Sequence, residues 1–277
     1  MFFFLFFALT SFAQQADVIY GNDDRKDFFE ADPSSQKLAD ATAVQVLPQD
    51  LTADGGMFRL RTVPYGTSMA LCASEPFYSQ PTIGHCSAFL VAPDVMVTAG
   101  HCISTASSCD SARFVFGYQM ASAKAPNIWE IANSEVYSCA KIIHSISNDN
   151  DDFAVVQLDR PVTGHSPLLY RSTGGPQNGE SLMVIGYPEG LPVKIAAGAH
   201  VRAFNQNFLT ANLDTYGGNS GSAVFSTDTQ LVEGILVRGE NDFVTQNGCY
   251  VSNRCPDTGC RGEDVTLISH ILPYLKQ

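Results

Sequence analysis

The stretch "TYGGNSGSAVF", residues 215 to 225, sets a serine among three glycines and an asparagine directly ahead of an apolar run. A serine hydroxyl is a weak nucleophile unless a base takes its proton, and that base needs an anion to hold its tautomer and stabilise its cationic form. Ser220 therefore acquires chemical meaning only beside one histidine and one acid. Of the six histidines, His101 follows the apolar segment "VMVTAG" and adjoins Cys102, sixteen residues after Cys86. His165 falls in a loop and His270 in the terminal segment, so both keep an ordinary structural reading. Among the acids, Asp152 stands immediately before "FAVV", at the mouth of an expected buried strand, whereas Asp149 and Asp151 are expected to face solvent. Singly, each feature is commonplace: Gly, Asn and Ser make turns, and Asp often precedes a strand. Their joint occurrence favours nucleophilic catalysis.

The elements that must position these residues read as short strands. From Ala41 onward, "TAVQVL", "MFRLRTV", "CSAFLVAP", "VMVTAG", "ARFVFGY", "AVVQL", "SLMVIGY", "HVRAF", "SAVF" and "LVEGILVRG" are each bounded by Gly, Pro, Asn or Asp. Closely spaced strands with turn signals between them imply a sandwich or barrel, not βαβ units. One helix is expected, in "DVTLISHILPYLKQ", where Val265, Ile268, Ile271 and Leu272 recur at helical spacing and Pro273 disturbs the end. "DRPVTGHSP", residues 159 to 167, separates two groups of strands.

Composition narrows the function classes. The first thirteen residues, "MFFFLFFALTSFA", read as a secretory signal, although no Lys or Arg follows Met1. The run is too short to span a bilayer comfortably, so the mature form is expected off the membrane, secreted or periplasmic. Eight cysteines without a CxxC suggest an oxidising compartment and up to four disulfides. A net charge of −12 with no basic stretch argues against nucleic acid as a partner. "SNDNDD" lacks the spaced ligands and terminal Glu of an EF-hand, and Cys249, Cys255 and Cys260 have no second paired cluster for zinc. No metal or cofactor is expected.

The blocks "VTAGHC", "DDFAVVQL" and "GGNSGS", in the order His, Asp, Ser, resemble the active-site blocks of chymotrypsin-fold serine endopeptidases. "VIYGNDDR" at Val18, "VIGYPEGLPVKIAAGAHVR" and Asn219 before the serine are similar to the bacterial glutamyl endopeptidase-like branch. The resemblance implies an all-β fold of two antiparallel β-barrels with a C-terminal α-helix, acting on proteins or peptides; a monomer is expected. It divides the chain into a signal (1–13), an amino-terminal segment (14–61) that is either a prosegment or packs in part on the barrels, a first barrel with His101 and Asp152 (62–164), a second barrel with Ser220 (165–264) and a helix (265–277). Ser220 is then the nucleophile, His101 the general base and acid, Asp152 its orienting anion, and the amides of Gly218 and Ser220 the oxyanion hole.

For substrate selection, Asp214 stands six residues before Ser220, where trypsin carries its acidic pocket base, and Thr215 follows it. Leu236 occupies the place where the glutamyl branch carries a His; Arg238, two residues on, is expected on the same face, and Gly239 would let substrate backbone pair with that strand. The resemblance also implies a Cys86–Cys102 bridge, with Cys109–Cys139 as the first barrel's remaining pair; Cys72, Cys249, Cys255 and Cys260 combine in three ways. Either no large propeptide is removed, or processing after Arg59 or Arg61 makes residues 14 to 61 a prosegment. Two other readings share the fold: a non-catalytic binding module, and a periplasmic quality-control protease, which usually appends a peptide-binding domain.

Overall fold

The computed structural model describes residues 18–124 and 129–275; the expected signal, residues 1–13, lies outside them. Period-two patterning decides the architecture. In the strand Asp152–Leu158, Ala154, Val156 and Leu158 enter one buried cluster while Phe153 and Val155 enter another. Strand Ser181–Gly186 behaves likewise, sending Leu182 and Val184 to a third cluster and Met183 and Ile185 to the one it shares with Phe153. Side chains alternate across a strand, so each such strand lines a barrel interior with one face and a common core with the other.

The first barrel closes through Thr42–Val46, Cys86–Ala92, Val95–Thr98, Asp152–Leu158, Val136–Ser147 and Arg113–Val115. The second closes through Ser181–Gly186, Ala223–Ser226, Val232–Arg238, Glu263–Leu267, Phe208–Ala211 and Lys194–Asn205, with Arg25–Asp27 added on the edge of the last. Every barrel pairing is antiparallel, as the all-β two-barrel expectation required.

Two boundaries and one exposure differ from the sequence reading. Thr42–Val46 is a strand of the first barrel, so a prosegment of residues 14 to 61 would remove part of that barrel's wall, and the barrel does not begin at residue 62. The terminal helix is also shorter: Glu263–Leu267 is a strand, followed by a 3₁₀ turn at Ile268–His270 and an α-turn at Leu272–Leu275. Val265 imitated helical spacing because it fills the second barrel beside Leu236, whereas Ile268 and Ile271 join the common core. Finally, Asp151 does not simply face solvent, since it accepts from Asn207 Nδ2 at 2.9 Å and meets His270 Nδ1 at 3.4 Å.

Four disulfides are present: Cys86–Cys102 and Cys109–Cys139, as expected, together with Cys72–Cys249 and Cys255–Cys260. No described helix is long and apolar enough to cross a membrane.

Candidate active site

Strand register brings His101 and Asp152 together. Thr98 lies opposite Ala154, so continuing the antiparallel ladder sets Asp152 across from Gly100, beside the imidazole. Gly100 permits that approach: a Cβ there would fall 1.9 Å from the carbonyl oxygen of Ile146. Asp152 Oδ1 accepts the His101 amide at 3.0 Å, and Oδ2 lies 2.7 Å from His101 Nδ1. Both carboxylate oxygens serve one residue, which fixes the ring and leaves Nε2 to act on something else. The aspartate side chain is 5% exposed and the imidazole 25%, so the anion is enclosed while the ring reaches a cleft.

The serine loop is held by its carbonyls. Ser87, on the first barrel, donates its amide to Ser220 O at 2.8 Å and its hydroxyl to Gly218 O at 2.9 Å. Glu189 N donates to Gly217 O at 2.5 Å, and Asp242 Oδ2 accepts the Gly217 amide at 3.0 Å. Gly218 has φ +81°, a left-handed conformation that favours glycine. Among the described residues, the amides of Gly218 and Ser220 donate to no protein acceptor. Ser220, Gly217 and Gly218 share a cleft of about 370 Å³ with His85, Cys86, His101, Cys102 and Arg238. A larger hollow near Arg113 and Arg160 contains none of these residues.

The pocket candidates separate. Asp214 is 5% exposed and accepts the amides of Tyr20 at 2.7 Å and Asp24 at 2.8 Å. Burial pushes its carboxyl up to about 7, against the lowering effect of those two donors. Thr215 is buried, with Oγ1 donating to Glu263 Oε2 at 3.4 Å. Leu236 points into the second barrel's core. Arg238 lines the cleft, so the two do not share a face; a bulge between them shifts the pairing with Glu263–Leu267. Gly239 follows the end of that strand and is half-buried.

Sequence reasoning missed His85, Ser87, Glu189 and Asp242. His85 had one signal, its position beside Cys86; burial lowers its pKa, Asp50 offsets part of this, and His101 lowers it further. Ser87 reaches the serine loop from the strand Cys86–Ala92, and Glu189 and Asp242 from distant turns, so none leaves a local pattern. Cys86, His101 and Cys102 bring candidate metal-donor atoms within 4.8 Å of one another, but the two sulfurs are joined to each other.

Comparison with known proteins agrees with the two-barrel fold. Among solved structures, a Glu endopeptidase in complex with MPD superposes with a TM-score of 0.55 at 17% identity, covering 93% of this chain and 97% of that one. An inactive-form mutant of Rv3671c from M. tuberculosis H37Rv gives 0.50 at 11% identity, covering 93% and 95%. At such identities the likeness shows the fold alone. No curated protein matches by sequence. The model of the trypsin-like peptidase domain matches residues 86–235, more than half of the 277, and with both barrels closed the chain belongs to that family and has the chymotrypsin fold.

Proposed function

We propose that this peptidase is a secreted serine endopeptidase working through Ser220, His101 and Asp152. The observation that carries the reading is the 2.7 Å contact between His101 Nδ1 and Asp152 Oδ2, made where the imidazole opens on the cleft that contains Ser220. His101 Nε2 takes the Ser220 proton as the hydroxyl oxygen attacks the scissile carbonyl. The tetrahedral oxyanion receives the amides of Gly218 and Ser220, and His101 returns the proton to the leaving amine. Water then repeats the sequence on the acyl-enzyme. Asp152 stays ionised throughout and stabilises the imidazolium. Each oxyanion donor is worth about 3 kcal/mol in the transition state, which is why the loop's carbonyls must be held elsewhere. The four disulfides support export to an oxidising compartment.

A fluorophosphonate should label the mature protein stoichiometrically at Ser220, and Ser220→Ala should abolish both labelling and peptide cleavage. Labelling of the Ala variant at another serine, or cleavage that survives it, would remove the assignment.

A further inference from the structure

The triad proposed above is split between barrels, His101 and Asp152 on the first and Ser220 on the second. Its geometry therefore depends on what locks residues 148 to 152, the turn that delivers Asp152, onto the second barrel. That turn closes on itself through Asn148, whose Oδ1 accepts the amides of Asn150 and Asp151, and it carries Asp149, Asp151 and Asp152 within four positions, a run of like charges that favours a cation beside it. Arg238 answers this from the other side of the cleft. One guanidinium nitrogen donates to Asp149 O at 2.8 Å, and Nε donates to Asp264 Oδ2 at 2.9 Å. Asp264 is 1% exposed and belongs to the second barrel's wall, so the arginine is anchored at one edge and grips the turn with another. Its guanidinium also lies over the Phe208 ring, 4.9 Å from the centroid. A planar fork can make both bonds at once, which a lysine ammonium at the end of a flexible stem does poorly.

We propose that Arg238 is a positioning residue for the reaction at Ser220, holding the Asp152 turn against the barrel that carries the serine. This rests on the proposed triad. Three neighbours also meet the same turn: Asn207 Nδ2 donates to Asp151 Oδ2 at 2.9 Å, Thr266 Oγ1 donates to the Asp152 carbonyl at 3.0 Å, and His270 Nδ1 lies 3.4 Å from Asp151 Oδ1; none of the three lines the cleft. Arg238 does line it, so it adjoins the site as well as the turn. The competing role, reading an acidic substrate side chain, requires no effect on the triad itself.

The test measures the second-order rate at which a small fluorophosphonate, which fills no extended side-chain subsite, labels Ser220 in the full mature protein. Arg238→Ala should slow labelling about 10- to 100-fold, the scale of a displacement near 1 Å in a catalytic group. On a neutral peptide, kcat should fall by a similar factor with KM within about twofold, and Arg238→Lys should recover only part of the loss. Arg261 still pairs with Asp264 in these variants, which favours folding. Should Arg238→Ala fail to fold, Arg238→Met, which keeps the stem over Phe208, is measured in its place. Wild-type labelling rates in the folded variant, with weaker cleavage of acidic peptides alone, would overturn the inference and leave the triad standing. A wild-type protein that is not labelled would overturn the triad and the inference together.

Discussion

The carboxylate of Asp214 accepts the backbone amide of Tyr20 at 2.7 Å, and its second oxygen accepts that of Asp24 at 2.8 Å. Both oxygens of the residue at the trypsin pocket-base position are thus committed to the amino-terminal segment. With Asp214 only 5% exposed, a basic substrate side chain would have to open that packing to reach it. Asp214→Ala should leave the enclosed Tyr20 N–H unsatisfied, at about 1–3 kcal/mol, and release the Asp24 N–H on an exposed residue at smaller cost. Chemical denaturation should report a loss of that order, while the proportion of peptide-library cleavage after Lys or Arg stays unchanged. Selective loss of basic cleavage at unaltered stability would instead place Asp214 in the pocket.

Leu236 gives a second test of specificity. Its side chain is 1% exposed in the second barrel's core, so a histidine there would meet Leu182, Val184 and Val265 rather than substrate. Leu236→His should destabilise the protein by about 2–4 kcal/mol, through lost packing and an enclosed imidazole without partners. It should confer no preference for acidic residues, a point the same library reads directly. A stable variant that gained cleavage after Glu would show that the strand can present this position to the cleft.

Much of this arrangement was legible in the residues, for identifiable reasons. Asp152 and His101 could be read because each sits at the end of an apolar strand, and strand ends in one barrel meet through register. The alternation of Phe153, Val155 and their neighbours made the barrels legible too. Arg238 was misread as sharing a face with Leu236 because a bulge breaks the period of two, and bulges leave no reliable mark in a single sequence. Val265 was misread because "DVTLISHIL" satisfies both periods; only the free edge of Phe208–Ala211 decides for strand. Asp242 and Glu189 reach the serine loop from turns far along the chain, and no local pattern announces such contacts.

The disulfides should contribute unequally. Cys72–Cys249 joins residues separated by 177 positions and links the 65 to 82 segment to the hairpin of Phe243–Gln246 and Cys249–Ser252, whereas Cys255–Cys260 spans only 5. Loop-closure entropy gives upper values of about 5 kcal/mol and about 2 kcal/mol respectively. Replacing both cysteines of the first pair by alanine should therefore lower the unfolding temperature more than replacing both of the second. Equal or reversed effects would mean that native-state packing, not chain entropy, sets the contribution of these bridges.

Substituting Asp152 separates orientation from architecture. Asn preserves the shape but changes what it offers His101 Nδ1, favouring the wrong tautomer. Asp152→Asn should reduce kcat by about 10³- to 10⁴-fold with a near-native fold by circular dichroism. A loss below tenfold would indicate that His101 does not depend on this carboxylate.

His165 supplies a pH dependence remote from the site. Its Nε2 lies 2.6 Å from Glu135 Oε2, its Nδ1 lies 3.0 Å from Asp40 Oδ2, and its ring stacks on Phe116 at 4.7 Å. Burial alone would depress its pKa, but hydrogen bonding and the charges of Asp40 and Glu135 outweigh that and raise it to about 9. Unfolding returns it to about 6.5. Below that value both states hold the proton and the full contribution is present. Between about 6.5 and about 9 the unfolded chain loses its proton first, so stability falls as pH rises, and above the folded value the contribution is gone. His165→Phe keeps the aromatic stack and removes the titration. Urea unfolding at about pH 6, 7.5 and 9.5, below, within and above that window, should show a steeper decline in the wild type than in the variant, which keeps only the fall below about pH 7 due to Asp214. Parallel profiles would mean that the two carboxylates do not hold the imidazolium in solution.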